Sequence, residues 1–595
     1  MKVEKKVRIG CASAFWGDTS TAAKQLVEKG EIDYLVFDFL AEVTMSILAG
    51  AKLKNPDMGY ATDFVKQVSP LLKDIKEKKI TVISNAGGLN PNACRSILAR
   101  EAEKLGINLK IAVISGDDLS DRNQEFKDQG IREVESNETI PDHCLSINAY
   151  LGAPGIVSAL DKKADIVITG RCVDSAMVLA PLMYEFKWKS DNHDLMASGS
   201  LAGHIIECGA QCTGGNYTDW QQVNGFDDMG FPIVEVSENG EFIVSKPRDT
   251  GGLVTVGTVA EQFLYEIGNP SEYFLPDVVC DFTNVSIQSL GNEKVLVKGA
   301  RGYPATNTYK VSLTHMNGFR VTGTLVIGGM RSKLKGEIIA NAIFKKTRRI
   351  LKDNNLDDFS ETSFDLIGAD SIYGPENMAK DSRELVLRVL ARHPKKEALI
   401  LFSREIAQAA TGMASGVINY LGGRPTVSPS IHLFSFLVPK DQVAIEVDID
   451  KNKFNVEIDN DGGYKGPGII EKSNIKVINI DSSKSVPLIK LAFARSGDKG
   501  DHANIGVVAR SPEFLPYIKN ALTKDAVAQY FKHVLKGSIE CWDVPGVNGL
   551  NFLLKNSLGG GGMASLNIDP QGKGYAQQLL EYKVPVSEKI FHQVC

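Results

Sequence analysis

Polar turns recur along the first part of the chain, each directly after an apolar run. Phe15-Trp16-Gly17-Asp18 closes one. Asp38 closes the next, with Glu42 four residues on. Asn85-Ala86-Gly87-Gly88 and then Asn90-Pro91 follow the third. Gly116-Asp117-Asp118 follows the fourth, and Thr169-Gly170-Arg171 with Asp174 the fifth. If the runs are neighbouring parallel strands, their carboxyl ends share one edge, where open α/β sheets bind ligands. Asp18, Asp38, Glu42 and Asp174 would then supply carboxylates for acid–base chemistry. Arg171 can grip a carboxylate or phosphate bidentately, and Asp174, one turn away, can orient it. Asp, Asn and Gly after a strand are also ordinary turn and cap residues, so each position has a structural reading too.

Three further stretches carry candidate chemistry. Asn85, Gly87, Gly88 and Asn90 in NAGGLNP could cradle an anion, because glycine lets the backbone approach and the next helix offers free N–H groups. The run is neither GxGxxG nor a Walker loop. His204 and Glu207 in GHIIECGAQCTGG stand three apart, on one helical face. They can act as an acid–base pair, as two metal ligands, or as a plain hydrogen-bonded pair; the expectation is a catalytic pair without metal. Near the end, ARSGDKGDHANIG places Lys499 and His502 among glycines and aspartates. Either these residues contact an anionic ligand at the mouth of the main site, or they dock a small domain through salt bridges. The near balance of charge favours a packed position over a solvated one.

The elements that must hold these residues follow from periodicity. VRIGCASAF, YLVFDFL, ITVISNAGG, LKIAVISGDD and ADIVITG alternate with helical stretches, the pattern of parallel βαβ units covered on both faces. From about Phe231 the pattern turns α+β. Asn317-Gly318 predicts a hairpin in YKVSLTHMNGFRVTGTLVI, and further hairpins are expected around Gly291-Asn292 and between VAIEVDI and FNVEI. After the glycine-rich NDGGYKGPG, strands are expected at Leu488–Ala494, Ile505–Ala509 and GMASLNI, with helices over Glu513–Leu535 and Gly574–Tyr582. The expected domains are a core over 1–459 (parallel α/β to 230, α+β from 231), a linker over 460–485, and a ferredoxin-like α+β sandwich over 486–595.

Composition narrows the partners. The 595 residues carry a net charge of −5, without the basic field that nucleic acid or anionic lipid needs. No run of 18 apolar residues exists to span a membrane. Nine cysteines lie scattered without a CxxC pair, which fits reduced thiols in a cytoplasmic protein.

The ordered series RIGCASAFWGD, DYLVFDFLAE, SNAGGLNP, VITGRCVDSAMVLAP, GHIIECGAQCTGGNYTD, KPRDTGGLVT and LYEIGNPSEYFLPDVVCDF resembles the acyclic terpene utilisation, or AtuA-like, family. FARSGDKGDHANIG, GLNFLL and LGGGGMASLNID resemble its C-terminal ferredoxin-fold domain. The resemblance implies a role in catabolism of acyclic terpenes or branched acids, which runs through acyl-CoA thioesters. The expected activity is that of a lyase or hydro-lyase on an acyl-CoA or related carboxylate. No cofactor is identified; a CoA thioester is a candidate substrate, and the expected assembly is a homo-oligomer. The alternative is a non-catalytic binding or scaffold subunit of a CoA-handling complex.

Overall fold

The computed structural model describes residues 5–379, 382–420, 422–460, 462–466, 484–562 and 564–595. The expected linker over 460–485 lies largely outside the described residues.

Five parallel strands form the centre of the largest sheet. They are β1 (Lys6–Cys11), β2 (Tyr34–Phe37), β3 (Thr81–Ser84), β4 (Ile111–Ser115) and β6 (Ile166–Thr169); β5 (Cys144–Ala149) belongs to another sheet. Their spatial order is β1-β2-β3-β6-β4, with every neighbouring pair parallel. These are the five strands expected from the apolar runs. All four residues of β2 and of β6 are buried, as strands covered on both faces must be. Successive side chains alternate between two cores. Tyr34, Val36 and Val167 enter one, and Leu35, Phe37, Ile166 and Ile168 the other.

Helices assort between these two faces by the strand they follow. Ala22–Lys29, Thr62–Val68, Leu72–Lys78 and Pro91–Lys104, reached from β1, β2 and β3, cover the Leu35–Phe37 face. Ala176–Phe186 and His193–Ile206, reached from β6, cover the opposite face. Since β3 and β6 are neighbours, the chain leaves adjacent strand ends toward opposite sides and opens a crevice between them.

Strands from the later part of the chain extend this sheet. β7 (Ile233–Ser237) pairs antiparallel with β1, and β8 (Phe242–Ser245) with β7. The expected hairpin Ser286–Gly291/Lys294–Lys298 adds to β8 through a turn whose two residues, Asn292 and Glu293, both have positive φ. The hairpin Glu446–Ile449/Asn452–Asn455 adds to the other edge beside β4.

The hairpin expected at Asn317-Gly318 does not form. Residues Thr308–Gly328 make one 21-residue strand at the centre of a second sheet. A type I′ turn needs positive φ at both residues, and only Gly318 of the two has it. Gly318 instead sits at a register shift between Met316 and Phe319, while Ser428–Pro439 stays paired on both sides of that bulge. β5 pairs with the first half of the long strand, and Glu384–His393 with the second.

The C-terminal part is a four-stranded antiparallel sheet with its own core of Leu491, Ile505, Phe531 and Phe552. Its order is Ala492–Lys499, His502–Ala509, Gly549–Leu554, Ile539–Val544. Four expectations change here. Residues 495–504, expected as a loop, are mostly strand, closed by a two-residue Gly500-Asp501 turn. Leu488–Lys490 is a 3-10 turn, so the first strand begins at Ala492, and the helical stretch breaks at Leu522-Thr523, where the Thr523 side chain caps the next helix. The described part of GMASLNI is irregular: Gly559–Gly562, the run that ends on its first residue, all take positive φ, a conformation that does not continue a strand.

Candidate active site

The crevice between β3 and β6 is built from strand ends. Asp38, immediately after β2, is buried and accepts a hydrogen bond from Asn85 Nδ2 at 2.7 Å. Asn85, immediately after β3, accepts from the Phe39 amide at 2.8 Å, so one amide side chain ties two strand ends together. Arg171 enters after β6. Its Nη1 donates to Asp174 Oδ1 at 2.5 Å and to the Cys172 carbonyl at 2.8 Å. Its guanidinium lies 4.2 Å from the centre of the Tyr150 ring. Below it, Asp117 Oδ2 accepts from the Arg171 amide at 2.8 Å and from Asn148 Nδ2 at 2.9 Å. Gly170 makes that approach possible, since a Cβ there would stand 2.2 Å from Asp117 Oδ1. Burial pushes the Asp117 carboxyl up to about 7.

The walls add opposite charges. Glu42 begins the helix Glu42–Lys54, accepts from the Tyr150 hydroxyl and faces Lys310 at 4.0 Å. Burial would raise its carboxyl, but Lys310, Arg171 and the Tyr150 hydroxyl outweigh that and hold it at about 2. Glu42 is therefore ionised at neutral pH. Asp38 is the opposite case: burial and the nearby Asp174 charge raise it well above the usual carboxylate range, against Arg171 and Asn85.

His204 and Glu207 settle each other's protonation. His204 is buried at the end of the helix His193–Ile206. Its Nε2 lies 3.2 Å from the Phe263 carbonyl and its Nδ1 3.1 Å from Glu207 Oε1. Burial lowers the imidazole to about 4, so at neutral pH it carries one N–H. A carbonyl can only accept, so that proton is on Nε2 and Nδ1 is an acceptor. The Glu207 carboxyl must then donate. Burial and the Asp174 and Glu266 charges raise Glu207 well above its ordinary value, against Lys499 and Arg171, which agrees with a protonated acid.

The C-terminal hairpin closes the crevice. Asn504 donates to the Leu264 carbonyl at 2.7 Å and accepts from the Glu266 amide at 2.8 Å. Arg495 pairs with Glu261 at 2.9 Å, both buried. This docking brings the Lys499 ammonium to 5.0 Å from the centre of the Tyr273 ring, which lies 6.1 Å from that of His204. Lys499 stays open to solvent and forms no ion pair among the described residues. Although its side chain reaches solvent, the protein packed around its ammonium, together with the Lys310 charge, lowers its pKa, against Glu266, Glu42 and Glu207. Lys573 adds a second ammonium, 3.5 Å from Glu266 and 3.4 Å from Asp498.

The chain belongs to the acyclic terpene utilisation (AtuA) family. The model of that family, described as "Acyclic terpene utilisation family protein AtuA", matches residues 7–449, and the AtuA ferredoxin-like domain matches residues 486–585. The Lys499 hairpin thus comes from the AtuA ferredoxin-like domain and the strand-end residues from the AtuA region. A search of curated proteins and of solved structures finds no match. The AtuA match places the protein in the context of acyclic terpene utilisation.

Of the residues singled out in the sequence, Asp38, Glu42, Asn85, Gly170, Arg171, Asp174, His204, Glu207 and Lys499 gather at this crevice. Others have local work. Asn90 caps the helix Pro91–Lys104 and binds the Pro56 and Met58 carbonyls. The amides of Gly87 and Gly88 bond to Thr169 and Asn85, so the NAGG turn does not present them to an anion. Asp18 accepts the Ala14 amide within its own turn. His502 points away, with Nε2 3.2 Å from Glu135. Tyr150, Lys310, Glu266, Tyr273 and Lys573 were not singled out as site residues from sequence. Tyr150 had a usable signal, since it directly follows the apolar alternation of β5. Among the described residues no group of three or more His, Cys, Asp or Glu is placed to hold a metal, and no helix is long and apolar enough to cross a membrane.

Proposed function

We propose that the crevice catalyses proton transfer on an acyl or carboxylate substrate of acyclic terpene or branched-acid catabolism, by hydration–dehydration or carbon–carbon lysis. What supports this reading is the geometry of a buried pair: Glu207 Oε1 lies 3.1 Å from His204 Nδ1, His204 Nε2 lies 3.2 Å from the Phe263 carbonyl, and burial raises the Glu207 carboxyl well above its ordinary value against the Lys499 and Arg171 charges. Such an acid can protonate a leaving hydroxyl or a carbanion at neutral pH. Lys499 and Arg171 supply the complementary charge: they hold a carboxylate or stabilise the oxygen anion that develops as an α-proton leaves. Asp38 is a second proton carrier, positioned by Asn85. A CoA thioester is the substrate form this reading favours.

The test is turnover. The purified protein is incubated with a panel of branched acyl-CoA thioesters and free acids, and products are followed by mass spectrometry for gain or loss of water or for chain cleavage. Glu207→Gln keeps a donor toward His204 Nδ1 but has no proton to transfer. It should fold normally and lose about 10²–10⁴-fold in rate. Full turnover in that variant would remove Glu207 from the reaction. Ligand binding without any product would favour the non-catalytic scaffold reading.

A further inference from the structure

The second sheet ends on an open edge. Its outermost strand, Glu361–Ile367, pairs with Glu384–His393 on one side, and among the described residues no strand pairs with its other side. Seven consecutive residue pairs run without a bulge, and the strand, ETSFDLI, holds neither Pro nor Lys. Bulges, Pro and Lys are the usual guards against edge-to-edge pairing, so this edge is unguarded. The Leu366 amide turns away from the neighbouring strand to donate to Ser371 Oγ at 2.7 Å. In an antiparallel ladder every second residue faces the same way, so the N–H and C=O groups of Thr362 and Phe364 point off the sheet as well.

The helix Ser332–Asp353 lies above this strand and runs opposite to it. At one end a Cβ on Gly336 would stand 2.5 Å from Leu366, and at the other Arg348 Nη2 donates to Thr362 Oγ1 at 3.3 Å. Phe364 is thus level with the helix near Ala342. Lys346 pairs with Glu405 of the helix Lys396–Ile406, so that flank is covered. Glu337, Asn341, Lys345 and Arg348 recur every three or four residues on the other side, toward the open edge. Arg348 pairs with Asp358 at 3.0 Å, whereas Glu337 and Lys345 form no ion pair among the described residues. Leu334 and Ile338 beside them are 47% and 53% exposed.

We propose that this edge is the interface with a second copy of the chain, related by a two-fold axis at Phe364. Identical strands then meet antiparallel, as an isologous contact requires. Phe364 exchanges both backbone hydrogen bonds with its own copy. Across the axis Ser363 faces Asp365 and Glu361 faces Ile367, so no like charges stand directly opposite. Strands about 4.8 Å apart put the two helices antiparallel and roughly 10 Å apart, the ordinary spacing of packed helices. With the axis level with Ala342, Glu337 of one protomer falls between Lys345 and Arg348 of the other, and the two-fold repeats the contact. The operation that pairs the strands thus also matches the unpaired charges of the helices. Two separate patterns agree on one axis, which points to a copy of this chain rather than to a foreign strand.

The experiment is sedimentation equilibrium of the full chain over about 0.1–100 μM. Wild type should form a dimer, or a larger even-numbered assembly that contains it. Glu337→Lys and Lys345→Glu should each weaken self-association by about tenfold or more, because each turns two symmetry-related attractions into repulsions. The swap Glu337→Lys/Lys345→Glu should associate more tightly than either single variant, a recovery that a merely destabilised chain would not show. Thr362→Pro removes an outward N–H that the strand does not use within its own sheet. It should weaken the dimer and keep the circular dichroism spectrum. A wild-type monomer throughout that range would overturn the proposal. So would a dimer unchanged by both reversals and by Thr362→Pro, since it would be built on another surface.

Discussion

Arg495→Met tests the docking of the hairpin that brings Lys499 into the crevice. Arg495 gives Glu261 two hydrogen bonds, from Nη2 at 2.9 Å and Nε at 3.2 Å, and also bonds to Gln211 Oε1 at 3.0 Å and the Gly215 carbonyl at 2.9 Å. Without it the Glu261 carboxyl, 1% exposed, keeps the Thr218 amide as a donor at 3.0 Å. Stranding one member of a buried pair costs about 3–5 kcal/mol. The cost must depend on pH. Burial already raises Glu261 with Arg495 present, and loss of the cation raises it further. A group whose folded pKa is raised holds a proton that the unfolded chain releases, so stability is lost as pH climbs from the ordinary carboxylate value toward the folded one. The deficit should therefore be smaller at pH 5 than at pH 8. The assay is hydrogen exchange at the Ala494 and Glu266 amides, which bond across the interface to Thr218 and Asn504. Corrected for intrinsic rates, protection at pH 8 should fall by about 10²–10³-fold. The double variant Arg495→Met/Glu261→Leu should recover most of it, because an apolar pair of similar volume needs no charge. A loss below about 1 kcal/mol, or one equal at both pH values, would show that this pair does not hold the hairpin.

Three further outcomes follow from single contacts. Gly170→Ala should lower thermal stability by about 1–3 kcal/mol, because its Cβ meets the Asp117 carboxylate, and Asp117→Ala in the same chain should relieve most of the loss; additive losses in the double variant would refute the contact. Asp117, raised by burial to about 7, should make wild-type stability fall by about 2 kcal/mol between pH 5 and 7, while Asp117→Asn should be nearly flat over that window; parallel denaturation profiles would refute the shift. Lys499→Met should leave the melting temperature unchanged, since it breaks no ion pair among the described residues, and should weaken binding of anionic substrates about tenfold or more; a stability loss with intact affinity would make Lys499 a docking residue.

The parallel strands were legible because each is buried on both faces, leaving short apolar runs such as YLVF and DIVIT closed by polar turns. Residues positioned by local geometry were legible for the same reason: Asp38, Asn85 and Arg171 are strand ends. Asn317-Gly318 misled because the dipeptide encodes only what its backbone can adopt. Whether it turns or bulges depends on Ser428–Pro439, which lies about a hundred residues on and pairs across the bulge. Lys310 and Tyr150 meet at the crevice only through the pairing of β5 with the long strand. Glu207's protonation was not legible either, since it depends on Phe263, a residue on a different helix that accepts the one imidazole proton.

The Arg495–Glu261 pair also bears on synthesis. Glu261 leaves the ribosome 234 residues before Arg495. At roughly 5–20 residues per second that is an interval of tens of seconds. Throughout it the helix Val256–Leu264 has no hairpin over Leu264, and the Leu264 carbonyl and Glu266 amide lack their Asn504 partner. The nascent chain must keep an apolar, half-bonded surface from other chains until its last hundred residues arrive. Slowed elongation, or a message ending before Arg495, would yield a polypeptide with its parallel sheet encoded and its docking face bare, a natural client for chaperones.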